Sequence, residues 1–332
     1  LRIFYLAPDY DIPSWGNGLL YHHVRLLREA GFDARLLHER APFQMSWIDM
    51  DLPIEYRRSG WRGKRFELAP DDVLVVPEVQ AHSEEVAELD CRKVVFVQGG
   101  FLILNAFEQA IDYRELGFEA AMAVMPHIRD IVASHFGLEP AVVSPFVADY
   151  FCIPEEKLDE PREKRILLAG KPIYREVGYV DFDVAKKILS RAVARRPEWD
   201  LVELAGMSHR ETAELMQRSA LLINVNILES FNAIVPEAMA AGCPVYCFEA
   251  YGGRDFLRNG ENAMVWPNNY VYPLLDEVCG LIEDYEGRQE GLNGLRRRGW
   301  ETAKSFSEQR AAEALTGFFS ALERNKEMGK TA

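Results

Sequence analysis

Residues 226–245, "NILESFNAIVPEAMAAGCPV", decide how the chain is read. Two carboxylates, Glu229 and Glu237, stand eight residues apart around a small-residue turn, with Phe231 and Asn232 between them. Pro236 has no N–H to give, so it fits only the first turn of a helix, which places the helix start near Asn232 or Ala233. Gly242 then closes the helix as a left-handed cap. The unpaired N–H groups of the helix start fall around Phe231 to Val235, an anion site that the helix dipole also favours. Carboxylates repel phosphate but accept hydrogen bonds from hydroxyls. A diphosphate over the helix start, with a sugar at each end, gives one acid to each sugar. The plain alternative leaves Glu229 solvated and has Glu237 merely complement the helix dipole.

Outward from this stretch, strand-like apolar runs alternate with helical patterns, the mark of parallel α/β architecture. "RIFYLAP" (2–8), "DVLVVPE" (72–78), "KVVFVQGG" (93–100), "AMAVMP" and "AVVSPFV" read as strands, with helices over 19–31 and 127–136. A charged, proline-bounded segment, "IPEEKLDEPREK" (153–164), has the composition of a linker. After it the pattern restarts with "RILLAG" (165–170), "DLVELAG" (200–206), "LLINVNI" (221–227) and "PVYCFEA" (244–250), with helices around 182–195 and 209–219 between them. Two Rossmann-like domains follow, 1–152 and 153–304, facing each other across a cleft that takes ligands at the carboxyl ends of the strands. Ser305 and Glu308 form a capping-box pattern for a closing helix over 305–325. That helix sets Ala311, Leu315, Phe318 and Leu322 on one face and is expected to pack back on the first domain. In "LLAGKPIYREVG" (167–178), Lys171 and Arg175 follow a strand directly, where two cations suit a leaving diphosphate.

Composition narrows the function classes. At 332 residues and 48% hydrophobic content the chain has the size of two globular domains. A net charge of −14 argues against nucleic acid or an anionic membrane as the main partner. One basic, aromatic-interleaved segment, "YRRSGWRGKRFEL" (56–68), reads as a solvated loop; its sharper reading, through Arg57–Arg65, is peripheral contact with a lipid headgroup or an anionic acceptor. No apolar run reaches membrane-span length and no signal segment opens the chain. Five cysteines without CxxC spacing point to a reduced, cytoplasmic protein. His22 and His23 are adjacent on a helix and face different sides, so no metal cluster is expected. "DYD" (9–11), "DMD" (49–51) and "DFD" (181–183) lack the context of a metal-binding DxD.

The opening stretch, with "YGGRDFLRNGENAMVWP" (251–267), resembles the C-terminal domain of retaining GT-B glycosyltransferases, most closely the glycosyltransferase family 4. The shared pattern is E-x7-E, the EAMAxGxPV segment, a GG turn and an NGEN-x-x-x-x-P tail, about 40 consecutive positions. "VVSPFVADYF" (142–151) is similar to the family's crossing into the second domain. The resemblance implies a metal-independent transferase using a nucleotide-diphosphate sugar, a UDP- or GDP-sugar. Its acceptor would be a glycan, a lipid-linked sugar or a small molecule. It implies further that Glu229 faces the hydroxyls of the transferred sugar and Glu237 holds the ribose. Main-chain groups of Phe231, Asn232 and Ala233 would cradle the diphosphate, which Lys171 and Arg175 neutralise. Gly206, Met207 and Ser208 would form the base-binding edge. The "WGNG" turn (15–18), with Gly16, Asn17 and Gly18, resembles the family's glycine-rich loop at the donor phosphates.

Four departures are visible. Asn232 stands where the family usually has glycine, a mild change because asparagine tolerates left-handed backbone. Gln98 stands where many members have a histidine near the reacting sugar; glutamine can hydrogen-bond there but cannot take a proton. The basic turn has a different spacing, and the second domain is short by one strand–helix unit. Two other readings stay open. A nucleotide-sugar epimerase or hydrolase on the same fold needs a proton-transferring group, which Gln98 does not supply. A non-catalytic sugar-nucleotide-binding subunit finds support only in Asn232 and Gln98. A nicotinamide dehydrogenase lacks its GxGxxG after the first strand.

Overall fold

The computed structural model describes residues 1–11, 14–58, 66–100, 103, 112–170 and 180–330. The chain forms two compact units, Leu1–Pro145 with Gln309–Ala332, and Phe146–Glu308. The expected boundary at 152/153 falls seven residues after the point where the main-chain contacts divide.

In the first unit seven strands run parallel: β1 (Arg2–Leu6), β2 (Asp33–Arg40), β3 (Ile54–Arg58), β4 (Val73–Pro77), β5 (Arg92–Val97), β6 (Phe118–Ala123) and β7 (Ala141–Val142). Their order is β3-β2-β1-β4-β5-β6-β7, the doubly wound arrangement. β1 and β4 are buried almost throughout because layers cover both faces of a parallel sheet. The helices of this unit include α1 (Trp15–Glu29), the short α2 (Glu84–Ala87) and α3 (Pro126–His135). α1 stops where Gly31 takes a φ of 91°. On α1, His23 is fully buried and His22 half-buried, as their adjacency dictates.

The second unit has a five-stranded parallel sheet: β8 (Glu163–Ala169), β9 (Asp200–Glu203), β10 (Ser219–Asn224), β11 (Val245–Phe248) and β12 (Met264–Trp266). The order β12-β11-β10-β8-β9 reverses direction between β8 and β10. Its helices are α4 (Asp181–Val193), α5 (His209–Arg218), α6 (Ile234–Ala240), α7 (Ala250–Gly253), α8 (Val271–Glu283) and α9 (Gln289–Ala303). A core of Ile166, Leu168, Leu221, Ile223, Phe248, Leu274 and Val278 sits between the sheet and α4 and α8. The closing helix α10 (Glu308–Lys330) belongs to the first unit, where Phe319 packs on Tyr5 and Phe32 with ring centroids 6.4 Å apart in each pair.

Four readings are corrected. The buried face of α10 is Ala311, Leu315, Phe319 and Leu322; Phe318 is only half-buried, since the helical repeat reaches 319 four residues after 315. Ser305 does not cap α10: its hydroxyl donates to the Thr302 carbonyl at 2.6 Å, and Ser307 is the residue that precedes the helix. The basic segment opens as edge strand β3, not loop. Arg57 is buried and pairs with Glu39 and Glu85, both at 3.1 Å, and Arg58 pairs with Glu39 at 2.9 Å, so neither offers a free cation to a membrane. Arg62, Lys64 and Arg65 lie outside the described residues. Strands β2, β3 and β12 have no counterpart in the sequence reading. Among the described residues no helix is long and apolar enough to cross a membrane.

Candidate functional site

In the second unit the strand order reverses between β8 and β10, and the crevice above such a reversal is where doubly wound sheets take ligands. Residues 225–233 leave the sheet there after β10; the sequence reading puts a basic turn after residue 170. Its Lys171 and Arg175 lie outside the described residues.

Residues 225–233 are held by an asparagine relay. The amide of Asn226 donates to Asn224 Oδ1 at 3.2 Å, which turns Asn224 Nδ2 toward Asn232 Oδ1 at 2.9 Å. Asn232 is buried with φ 58°, the left-handed conformation in which glycine or asparagine is easiest. The chain reverses at that residue and α6 begins one residue after Ala233. Val235 N–H is taken by the Asn232 carbonyl and Glu237 N–H by that of Ala233, both at 3.0 Å. Among the described residues no main-chain carbonyl accepts from Asn232, Ala233 or Ile234, so the donor set is narrower than 231–235. Phe231 faces inward and meets the ring of Phe306 edge-on at 5.2 Å.

Glu229 is half-buried before the reversal and Glu237 is buried in the first turn of α6. The Glu229 carbonyl accepts from Gly252 N–H at 2.9 Å. A side chain at Gly252 would collide with the Ser230 carbonyl, which explains the GG turn: it lets α7 lie directly on the acid-bearing loop. The NGEN tail has its own work. Asn262 accepts from Arg258 N–H at 2.8 Å and donates to the Phe256 carbonyl at 2.8 Å, closing the turn that leads into β12.

Three residues that escaped the sequence reading meet at Tyr150. Tyr150 sits on the turn Asp149–Phe151 with its hydroxyl 3.3 Å from His209 Nδ1 and the Arg210 guanidinium 5.0 Å over its ring. Burial, and then the negative charge of Glu237, push the Tyr150 phenol above its ordinary range. Burial also lowers His209 below its ordinary range. The Gly206–Met207–Ser208 turn leads into this cluster: Gly206 takes φ 68°, Met207 is exposed, and Ser208 caps α5 in a capping box with Glu211. No sequence spacing links Tyr150 to His209, 59 positions later; only the fold does.

In the first unit, "WGNG" is not a loop. Residues 15–18 form the first turn of α1, with Ser14 as N-cap accepting from Asn17 N–H at 3.2 Å. Glycine still matters there. A Cβ at Gly16 would lie 2.5 Å from Gln98 Oε1, and one at Gly18 would touch Trp47 at 3.5 Å. Gln98 follows β5 and is half-buried against Gly16. Beside it Gly99 N–H donates to the buried carboxylate of Glu78 at 2.8 Å. Asp9 and Asp11 of "DYD" are occupied with main chain, Asp9 accepting from Glu39 and Arg40 and Asp11 from Ser46.

Two doubly wound parallel sheets, one with paired carboxylates around a left-handed reversal at its switch point, define a GT-B glycosyltransferase fold. Residues 157–284 match the family model of group 1 glycosyl transferases, so the chain carries a group 1 glycosyl transferase domain and is a glycosyltransferase. It is 25% identical over 303 residues to an alpha-1,6-glucosyltransferase of Actinobacillus pleuropneumoniae serotype 7 (strain AP76), covering 85% of this chain and 84% of that one. Among solved structures it is similar in fold to sucrose-phosphate synthase from Thermosynechococcus elongatus, at 11% identity and TM-score 0.70, over 98% of this chain and 99% of that one. Anabaena HepE in complex with UDP-glucose matches at 10% identity and TM-score 0.63, over 96% and 99% of the two chains.

Proposed function

We propose that the protein is a retaining, metal-independent hexosyltransferase that moves a sugar, glucose foremost, from a UDP-sugar to a glycan, lipid-linked or small-molecule acceptor. The observation that carries this reading is the loop 225–233, where a left-handed reversal at Asn232 leaves main-chain donors at the start of α6 with Glu229 before them and Glu237 behind. Neither acid is then a proton carrier. Glu229 accepts from the hydroxyls of the transferred sugar, and Glu237, beside Tyr150, accepts from the ribose. Preference for UDP over GDP rests on likeness to HepE bound to UDP-glucose and to a glucosyltransferase.

In the transfer step the bond from the anomeric carbon to the departing diphosphate breaks. The acceptor oxygen bonds to that carbon on the same face, and its proton passes to the departing phosphate. Protein catalysis is then positional and electrostatic, with Lys171 and Arg175 neutralising the leaving group. Gln98, which cannot take a proton, supplies a hydrogen bond to the sugar.

The test is acceptor-dependent UDP release from UDP-glucose across a panel of alkyl glucosides, oligosaccharides and polyprenyl-linked sugars. Glu229→Ala should lower kcat by about a hundredfold, and Glu237→Ala should raise KM for the donor by about tenfold. Wild-type rates in both variants would sink the reading. Rapid loss of the sugar without acceptor would point to a hydrolase.

A further inference from the structure

The first unit has a switch point of its own. Its strand order turns about β1 and β4, and the residue leaving the carboxyl end of β4 is Glu78. That carboxyl is 2% exposed. Its Oε1 accepts from Gly99 N–H at 2.8 Å, and the main-chain N–H groups of Gln98 and of Glu78 itself also favour its charged form. Burial opposes that charge and brings the group to about 7. Tyr113 is an ionisable neighbour on which Glu78 acts: burial, and then Glu78, raise its phenol well above the ordinary range. A buried carboxylate with no counter-charge among the described residues is an expensive way to hold a loop, and such costs concentrate where position matters for function.

What the carboxylate holds is the turn that aims Gln98. Two of the main-chain N–H groups it draws in belong to Gln98 and Gly99, and the Gln98 side chain lies against Gly16, where a Cβ would have to push its Oε1 aside. We propose that Glu78 is a positioning residue for sugar transfer: its carboxylate fixes the main chain of Gln98 and Gly99 so that the Gln98 amide is held against the first turn of α1 in one orientation. This rests on the reading above that Gln98 hydrogen-bonds the transferred sugar. Glu78 itself touches no substrate. A loop displaced by even an ångström there would cost rate more than donor affinity.

The experiment uses the full chain and two readouts. In hydrogen exchange, Glu78→Gln should speed exchange of the Gln98 and Gly99 amides about tenfold while β1 and β4 keep their protection. In kinetics with UDP-glucose and the glucoside panel, Glu78→Gln should lower kcat about tenfold with the Kd for UDP held within about twofold. Gln98→Ala combined with Glu78→Gln should be no slower than Gln98→Ala alone, because both changes remove one interaction. Unchanged exchange at Gln98 and Gly99, a kcat within twofold of wild type, or losses that multiply in the double variant would each overturn the proposal. A wild-type protein that neither binds UDP nor turns over UDP-glucose would instead overturn the donor reading, and the exchange measurement then decides Glu78 by itself.

Discussion

At Asn232 the backbone turns left-handed, and two effects of one side chain can be separated there. The φ of 58° strains any residue with a Cβ by roughly 1 kcal/mol, less for asparagine and not for glycine. The Oδ1 also takes the Asn224 Nδ2 proton at 2.9 Å in a buried setting, where a lost partner costs about 1–3 kcal/mol. Asn232→Gly removes the hydrogen bond but relieves the backbone; Asn232→Ala removes the bond and adds strain. Both should unfold at lower urea than wild type, with the alanine variant less stable than the glycine variant by roughly 1 kcal/mol. Equal midpoints would show that the conformation costs nothing. Because the resembled family carries glycine here, Asn232→Gly should keep sugar transfer within about threefold of wild type.

The helix that bears Glu237 has seven residues, too few to stand by propensity, and its ends explain why it forms. Gly242 at φ 65° closes a Schellman cap: Cys243 N–H reaches the Ala238 carbonyl at 2.8 Å and Gly242 N–H that of Met239 at 3.0 Å. A Cβ at Gly242 would lie 2.7 Å from Ile153 Cδ1 and 2.9 Å from Arg162 Nη2. Gly242→Ala should therefore lower stability by about 1–3 kcal/mol, read as a drop in Tm, and weaken donor binding through Glu237; a neutral result would remove the cap from the account. This element was legible because Pro236 and Gly242 are local signals that act within a few residues. Residues 165–170 and 221–227 were legible for another reason: buried parallel strands read as unbroken apolar runs. β3 was not, since an edge strand can carry Arg57 and Arg58 paired to Glu39 and Glu85 and so looks like a loop. β12, three half-buried residues, offers no period to read. In the candidate site, the carboxylates and Asn232 stood in one motif, whereas Tyr150, Asn224 and Glu78 gain their roles only from contacts the folded chain creates.

For the molecule as a whole, two fully buried groups of the first unit oppose each other in acid. His23, beside Tyr5 at 3.2 Å, is pushed down to about 3 from 6.5 by burial and then by His22, so it stays neutral when folded. The unfolded chain takes up that proton below 6.5, so the stability it contributes is full above 6.5 and is lost as pH falls toward 3. Glu78 runs the other way. Its folded value of about 7 exceeds the ordinary 4.5, so the folded chain keeps a proton that the unfolded chain has released. Its contribution is full below 4.5 and gone as pH rises through 7. Between pH 8 and pH 5 the His23 loss and the Glu78 gain are each about 2 kcal/mol, so the two nearly cancel in the wild-type chain. Glu78→Gln removes the gain and leaves the loss. Urea unfolding at both pH values should show the variant falling relative to wild type by about 2 kcal/mol on going from pH 8 to pH 5, in the transition of the unit that holds residues 1–145. Taking the difference between variant and wild type cancels every other titrating group. A difference that does not change with pH would mean that Glu78 is already ionised at pH 5 in the folded chain. Burial would then not set its charge, and the main-chain donors of Gln98 and Gly99 would hold a carboxylate at every pH tested.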